Sequence, residues 1–289
     1  MDAFWEIVIP IMIFAGLGLV FGVLLAIASK IFFVKTEESV AKITEVLPGA
    51  NCGGCGYAGC AQLAQAIADG KAAVTACTAG GPDVAKKIAE ALGVEVGEMP
   101  QRMRAQVMCS GTGALSKQKY IYAGVPDCIA AAKLGGGDKI CPNGCTGLGT
   151  CVKACKFEAI SVVDGVAVVD YKKCEGCGAC VAACPKHIIK LMPYNSEHWV
   201  GCMSVDKGAI TKKYCDVGCI ACKICEKACP EKAITVTDFK AAIDYDKCIG
   251  CGVCVEKCPR HIIWSAEVQN STLVIRREIK KETEKVENK

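Results

Sequence analysis

Aromatic residues make up only 6% of the 289 residues, and histidine occurs three times. A core of large rings is therefore thin, so the folded part needs a further source of cohesion. No G-x-G-x-x-G opens a helix after a strand, and P-loop, H-E-x-x-H and nucleophile-elbow motifs are all missing. Nicotinamide or flavin binding through a standard motif is thereby excluded. Gly135-Gly136-Gly137 has no strand pattern before it that would make it a phosphate cradle. The tail Arg276–Lys289 mixes charge signs closely, as a solvated helix or frayed end does, and is no binding arm. The composition is also unlike that of disordered or collagen-like chains.

What is abundant is cysteine, 24 residues in all. Secreted chains reach such a content with disulfides, intracellular chains with metal. The choice turns on Ile7 to Ser29, a run of 23 uncharged residues rich in Ile, Leu, Val and Phe. A helix of that length, rising about 1.5 Å per residue, crosses a hydrocarbon core of roughly 30 Å. Asp2 and Glu6 precede the run while Lys30 and Lys35 follow it. By the positive-inside rule the amino end lies outside and everything after Lys30 lies in the cytoplasm. Ala26-Ile27-Ala28 resembles a signal-peptidase box, but the leading segment is acidic and the apolar run is too long for a cleaved signal. Gly18 and Gly22, four apart, suit contact with another membrane helix. A single-pass anchor in the cell membrane puts the cysteines in a reducing compartment, where thiolate–metal bonds are the default.

Spacing names the metal. Cys174, Cys177, Cys180 and Cys184-Pro185 follow C-x2-C-x2-C-x3-C-P, as do Cys248, Cys251, Cys254 and Cys258-Pro259. Cys219, Cys222, Cys225 and Cys229-Pro230 have the same spacing. This is the bacterial ferredoxin run for [4Fe–4S] clusters, in which three thiolates from one loop bind a cubane and the fourth cysteine, read here as lying at a helix start, binds its partner. Zinc ribbons use separated cysteine pairs instead. The tracts repeat at an offset of 74: Cys174 matches Cys248, Cys155 matches Cys229, Cys151 matches Cys225 and Cys145 matches Cys219. Upstream, Cys141 pairs with Cys215 and Cys128 with Cys202, so 128–184 and 202–258 read as a gapless duplication. The runs Ala159–Val163 and Ala233–Val236 read as short strands. His187 and His261, equivalent in the repeat, read as packing or outer-sphere groups.

The copies differ at one position, where Leu148 stands opposite Cys222. Cys141 is the nearest substitute, giving C-x3-C-x5-C; a three-iron cluster or a non-cysteine ligand is the alternative. Nearer the anchor, Cys52, Cys55, Cys60 and Cys77 lie in and after N-C-G-G-C-G-Y-A-G-C and suit one more cubane, with zinc a stronger competitor there. Glycines 53, 54, 56 and 59 let that loop wrap closely, and a helix from Cys60 to Asp69 stops at Gly70. Cys109, Cys128, Cys202 and Cys215 remain, as inert buried thiols or as ligands of a sixth cluster bridging the halves.

The order of anchor, E-V-L-P-G-A-N-C-G-G-C-G-Y-A-G-C, a later cysteine, then ferredoxin repeats resembles the B subunit of the Rnf complex, a membrane-bound ion-pumping ferredoxin:NAD oxidoreductase. The likeness runs from Met1 to about Ile263 and is closest to the long form with a duplicated two-cluster ferredoxin. Leu148 departs from the plain spacing. The resemblance implies a wire that takes electrons from reduced ferredoxin through the carboxy-terminal clusters, the first repeat and the Cys52 cluster to membrane subunits. NAD reduction and ion pumping fall to partners. An iron–sulfur subunit of a hydrogenase or formate-oxidising membrane complex is the alternative, and a redox sensor or iron store a more distant one.

The expected fold is α+β: a membrane anchor at 1–34, a helical [4Fe–4S] domain at 35–100, and two-cluster ferredoxin modules at 101–192 and 193–265, with a charged tail at 266–289. Five clusters are expected, with a sixth left open. Each oxidised cubane with its thiolates carries about −2, so six would turn the net charge of +4 to roughly −8. The basic excess thus offsets cluster charge and does not point to nucleic acid. Because metal binding can supply folding free energy, the apo-chain is expected to be largely unfolded after Lys30.

Overall fold

The computed structural model describes residues 2–31, 38–99 and 101–265. The tail at 266–289 lies outside the described residues. Helix α1 spans Asp2–Ile31. Side chains in α1 are described only in part, those from Phe14 to Leu25 being exposed. Among the described residues no helix is long and apolar enough to cross a membrane.

Next comes a three-helix unit of α2 (Glu38–Val46), α3 (Cys60–Ala68) and α4 (Gly81–Leu92). Its apolar face repeats at helical spacing, so Val40, Ile43, Leu47, Leu63, Ile67 and Ile88 meet in one core. Pro82 opens α4 and Gly93, in the left-handed region at φ +66°, ends it.

The remainder is a pair of similar halves. The first holds β1 (Met103–Val107), α5 (Cys128–Lys133), α6 (Thr150–Ala154), β2 (Ile160–Val163), β3 (Val166–Val169), α7 (Ala179–Ala183) and β4 (Ile189–Pro193). The second holds β5 (His198–Val200), α8 (Gly208–Tyr214), α9 (Ile224–Ala228), β6 (Ile234–Thr237), β7 (Lys240–Ile243), α10 (Val253–Lys257) and β8 (Ile263–Ser265). Each half has a tight hairpin, β2–β3 or β6–β7, and an antiparallel pair of distant strands, β1–β4 or β5–β8. The strands expected at Ala159–Val163 and Ala233–Val236 are β2 and β6.

Helices of five residues such as α6 and α7 are too short to persist alone. They are held by one core per half, in which cysteines and β-branched residues replace the missing rings. The fourth cysteine of each tract, expected at a helix start, instead caps the helix end: Cys155, Cys184, Cys229 and Cys258 close α6, α7, α9 and α10. Three residues on, Glu158, His187, Lys232 and His261 all adopt positive φ. His187 and His261 are exposed turn residues and not packing groups.

Strand register revises the duplication upstream of the triplets. Val107 pairs with Ile189 and Val200 with Ile263. Since Ile189 and Ile263 are 74 apart, Val107 is the counterpart of Val200 and Cys109, two residues later, that of Cys202. Cys128 therefore has no counterpart. It sits on α5 in an insertion that separates Cys109 from Cys141 and is absent between Cys202 and Cys215. The repeat is gapless only from Cys141 onward.

Candidate metal centres

Four cavities of about 320–350 Å3, counting the space at their mouths, are each ringed by four cysteines. The ring in the three-helix unit is Cys52, Cys55, Cys60 and Cys77. Asn51 shapes it: its Oδ1 accepts the Cys60 N–H at 2.8 Å, turning the loop into the start of α3. That helix ends at Ala68, with Asp69 as cap and Gly70 at φ +70°. In the second half one ring joins Cys219, Cys222 and Cys225 to Cys258, and the other joins Cys248, Cys251 and Cys254 to Cys229. The cross-over of the fourth cysteine is the arrangement of two-cluster ferredoxins.

The fourth cavity is in the first half, lined by Cys128, Cys145, Cys151 and Cys184. Its fourth thiol is Cys128, where spacing pointed to Cys141. The Asp127 side chain caps α5 through the Ala130 N–H at 2.8 Å, and the Thr150 hydroxyl links Asp127 to the Cys128 N–H at 2.9 and 2.7 Å. These bonds pin Cys128 at the start of α5, across the cavity from the triplet. Sequence reasoning missed this because the insertion is far away along the chain and the offset of 74 had matched Cys128 to Cys202. Cys180 lies within electrostatic reach of Cys174, Cys177, Cys151 and Cys155; Cys151 belongs to the cavity just described, and the other three with Cys180 make the fifth set that the ferredoxin spacing expects.

Backbone amides point at the sulfurs. The Ala105 N–H donates to Cys174 Sγ at 3.3 Å, Ala167 to Cys145 at 3.4 Å, Ala159 to Cys155 at 3.4 Å and Ala233 to Cys229 at 3.3 Å. Such donors stabilise thiolates and raise the potential of a cluster. Burial pushes the other way on free thiols: Cys145 rises to about 11 and Cys151 and Cys180 to about 12. These thiols hold their protons until metal displaces them. Among the described residues no group of three or more His, Cys, Asp or Glu converges closely enough to hold one metal ion. The sulfurs surround a space instead of meeting at a point, so the donor sets fit a cage-sized cluster.

Two relatives cover most of the chain. The B subunit of the ion-translocating oxidoreductase complex of Methanosarcina acetivorans is 45% identical over 82% of this chain and 90% of its own length. The B subunit of the Na(+)-translocating ferredoxin:NAD(+) oxidoreductase complex of Acetobacterium woodii is 45% identical over 83% of this chain and 72% of its own length. The chain belongs to the B-subunit family of ion-translocating (Rnf-type) oxidoreductase complexes. As a member of that family it is an iron–sulfur electron-transfer subunit. A third relative, the B subunit of the proton-translocating ferredoxin:NAD(+) oxidoreductase complex of Clostridium ljungdahlii, is 37% identical over 82% of this chain and 84% of its own. Family models match as "Putative Fe-S cluster" at 47–79, "4Fe-4S binding domain" at 167–190 and "4Fe-4S dicluster domain" at 218–263. These matches leave Cys109, Cys128, Cys141, Cys145, Cys151, Cys155, Cys202 and Cys215 outside.

The surface of this Rnf-type protein is uneven around its centres. Of the 24 cysteines only Cys222 and Cys251 are exposed, and both lie in the second half. Ile249, 67% exposed, stands beside them between Cys248 and Cys251. The Cys52–Cys60 loop meets the first half, where a Cβ on Gly54 would fall 2.6 Å from the Cys177 carbonyl oxygen. Only glycine allows that approach of the Cys52 ring to the Cys177 loop.

Proposed function

We propose that the chain takes electrons from reduced ferredoxin at its second half and delivers them, through its first half and the Cys52 ring, to membrane subunits of an Rnf-type ferredoxin:NAD oxidoreductase. The clusters, when bound, supply one-electron chemistry; the protein holds them at fixed separation, tunes them and keeps water out. Five sets of ligands carry this reading: Cys52/Cys55/Cys60/Cys77; Cys128/Cys145/Cys151/Cys184; Cys155/Cys174/Cys177/Cys180; Cys219/Cys222/Cys225/Cys258; and Cys229/Cys248/Cys251/Cys254. The apolar run from Ile7 to Ser29 anchors the chain in the cell membrane with its cluster-bearing part in the cytoplasm. NAD reduction and ion translocation are the work of partner subunits.

The observation that carries the direction is the exposure of Cys222 and Cys251 at one end and the Gly54–Cys177 contact at the anchored end. Donor entry requires a centre near the surface, and delivery to the membrane requires one near the anchor. The test mixes the reconstituted full chain with reduced ferredoxin under anaerobic conditions and follows cluster bleaching. Rapid bleaching is expected. A chain reduced by dithionite but not by ferredoxin would remove ferredoxin as donor.

A further inference from the structure

The five sets leave four cysteines, and the fold gathers them in one place. Cys109 lies within electrostatic reach of Cys141, Cys202 and Cys215, Cys141 within reach of Cys215, and Gly111, two residues after Cys109, lies against the Cys215 sulfur. The pairs are related by the internal repeat, with Cys109 the counterpart of Cys202 by strand register and Cys141 that of Cys215 by the offset of 74. Two thiols thus come from each half, at matching positions.

Their surroundings match as well. The Cys145 N–H donates to Cys109 Sγ at 3.4 Å, and its counterpart, the Cys219 N–H, donates to Cys202 Sγ at 3.3 Å. Cys141 Sγ accepts from the Asn143 backbone, and Cys215 Sγ from that of Val217, again two residues on. Lys186 holds the first loop through the Pro142 carbonyl at 2.7 Å, while Arg260, 74 residues later, holds the second through the Cys215 carbonyl at 2.8 Å. The joint between the halves is built. Trp264 donates from β8 to the Ser110 hydroxyl at 2.7 Å, and Lys117 N–H donates to the Tyr214 carbonyl at 2.8 Å. Gly111 leaves room for the Cys215 sulfur, which would lie 3.4 Å from a Cβ there.

Inert buried thiols would have no reason to pair across a repeat, to receive one amide each, or to meet at the seam. We propose that Cys109, Cys141, Cys202 and Cys215 bind a sixth [4Fe–4S] cluster lying between the two halves. It rests on the reading of the chain as an iron–sulfur carrier and adds a joint to it. Cys145 and Cys219, whose amides reach this site, are themselves in the rings on either side, so the site stands where the two halves must exchange electrons.

Iron and acid-labile sulfide per full-length chain, reconstituted anaerobically, test it. About 24 irons are expected for the unaltered chain, and about 20 for the Cys109→Ala/Cys202→Ala double variant. About 20 in the unaltered chain would overturn the proposal, as would about 24 retained in the double variant. The count on the unaltered chain stands even if the variant fails to fold. Spin counting by EPR after full reduction gives a second reading, with about six spins per chain expected and about five contradicting it. Reduction by ferredoxin reports separately: the sixth site can fail while ferredoxin still reduces the other five sets, and the reverse outcome rejects the donor alone.

Discussion

The two halves share a frame and differ in how each closes its first ring. In the second half Cys222 stands in the triplet itself, at the surface; in the first, Leu148 holds that position and Cys128 reaches in from an insertion capped by Asp127. The tight turns differ in the same sense. Gly147 and Gly149 take positive φ in the first half, where Ala221 and Lys223 take it at +54° and +59° in the second. The difference teaches that one cluster spacing can be closed in two ways: from within the triplet, which leaves the ring open, or from an insertion, which covers it. A covered ring suits relay between centres. An open ring suits meeting a partner.

The largest way to break the comparison is at Cys128. Its replacement by alanine is expected to lose the first ring's cluster or reduce it to a three-iron form, removing about one to four irons per chain. Adding Leu148→Cys, which copies the second half, is expected to restore the count. If Cys141→Ala strips this ring instead, as judged by iron content and EPR, the assignment of Cys128 fails.

Gly54→Leu comes next. A side chain there must displace the Cys177 backbone, at a cost of about 1–3 kcal/mol. Reduction of the Cys52 cluster by the rest of the chain should slow, while the second half bleaches at its normal rate. Equal rates in stopped-flow traces would contradict the contact.

Arg104 sharpens the contrast between the cores. It is 1% exposed, held by Gln106 and by the Ser196 carbonyl at 2.8 Å, and flanked by the Tyr171 and Trp199 rings at 5.6 Å each. Burial pulls its pKa down, but the charge sits beside Cys174. Arg104→Met is expected to lower the potential of the Cys174 cluster by roughly 40 mV, the equivalent of about 1 kcal/mol for one electron. Redox titration followed by EPR checks it, and an unchanged potential would reject it.

The smallest effect is at Ala221. A non-glycine residue in the left-handed region costs about 1 kcal/mol, so Ala221→Gly should stabilise the second half by that amount. Thermal unfolding of the reconstituted chain measures it; a destabilised variant would mean that the alanine methyl packs usefully.

Much of this was legible in the sequence, because a cubane demands cysteines at fixed local spacing. The triplets, the offset of 74, the short strands at 160 and 234 and the helix after Cys60 all follow from near neighbours. What escaped was long-range. The Cys128 ring depends on an insertion folding back, and the true counterpart of Cys202 emerges only from the pairing of β1 with β4 and β5 with β8. The fourth cysteines were misplaced at helix starts because C-P suggests a beginning. In fact the proline follows a five-residue helix that has just ended, where its missing N–H costs nothing.

The central claim is that electrons enter at the open second half. Ile249→Glu there and Ile121→Glu on the first half, where Ile121 is 90% exposed, form the comparison. A charge at the entry surface is expected to slow ferredoxin-driven bleaching of the full chain about tenfold for Ile249→Glu, with Ile121→Glu unchanged and dithionite reduction equal in both. Slowing by Ile121→Glu with Ile249→Glu unaffected would contradict the account.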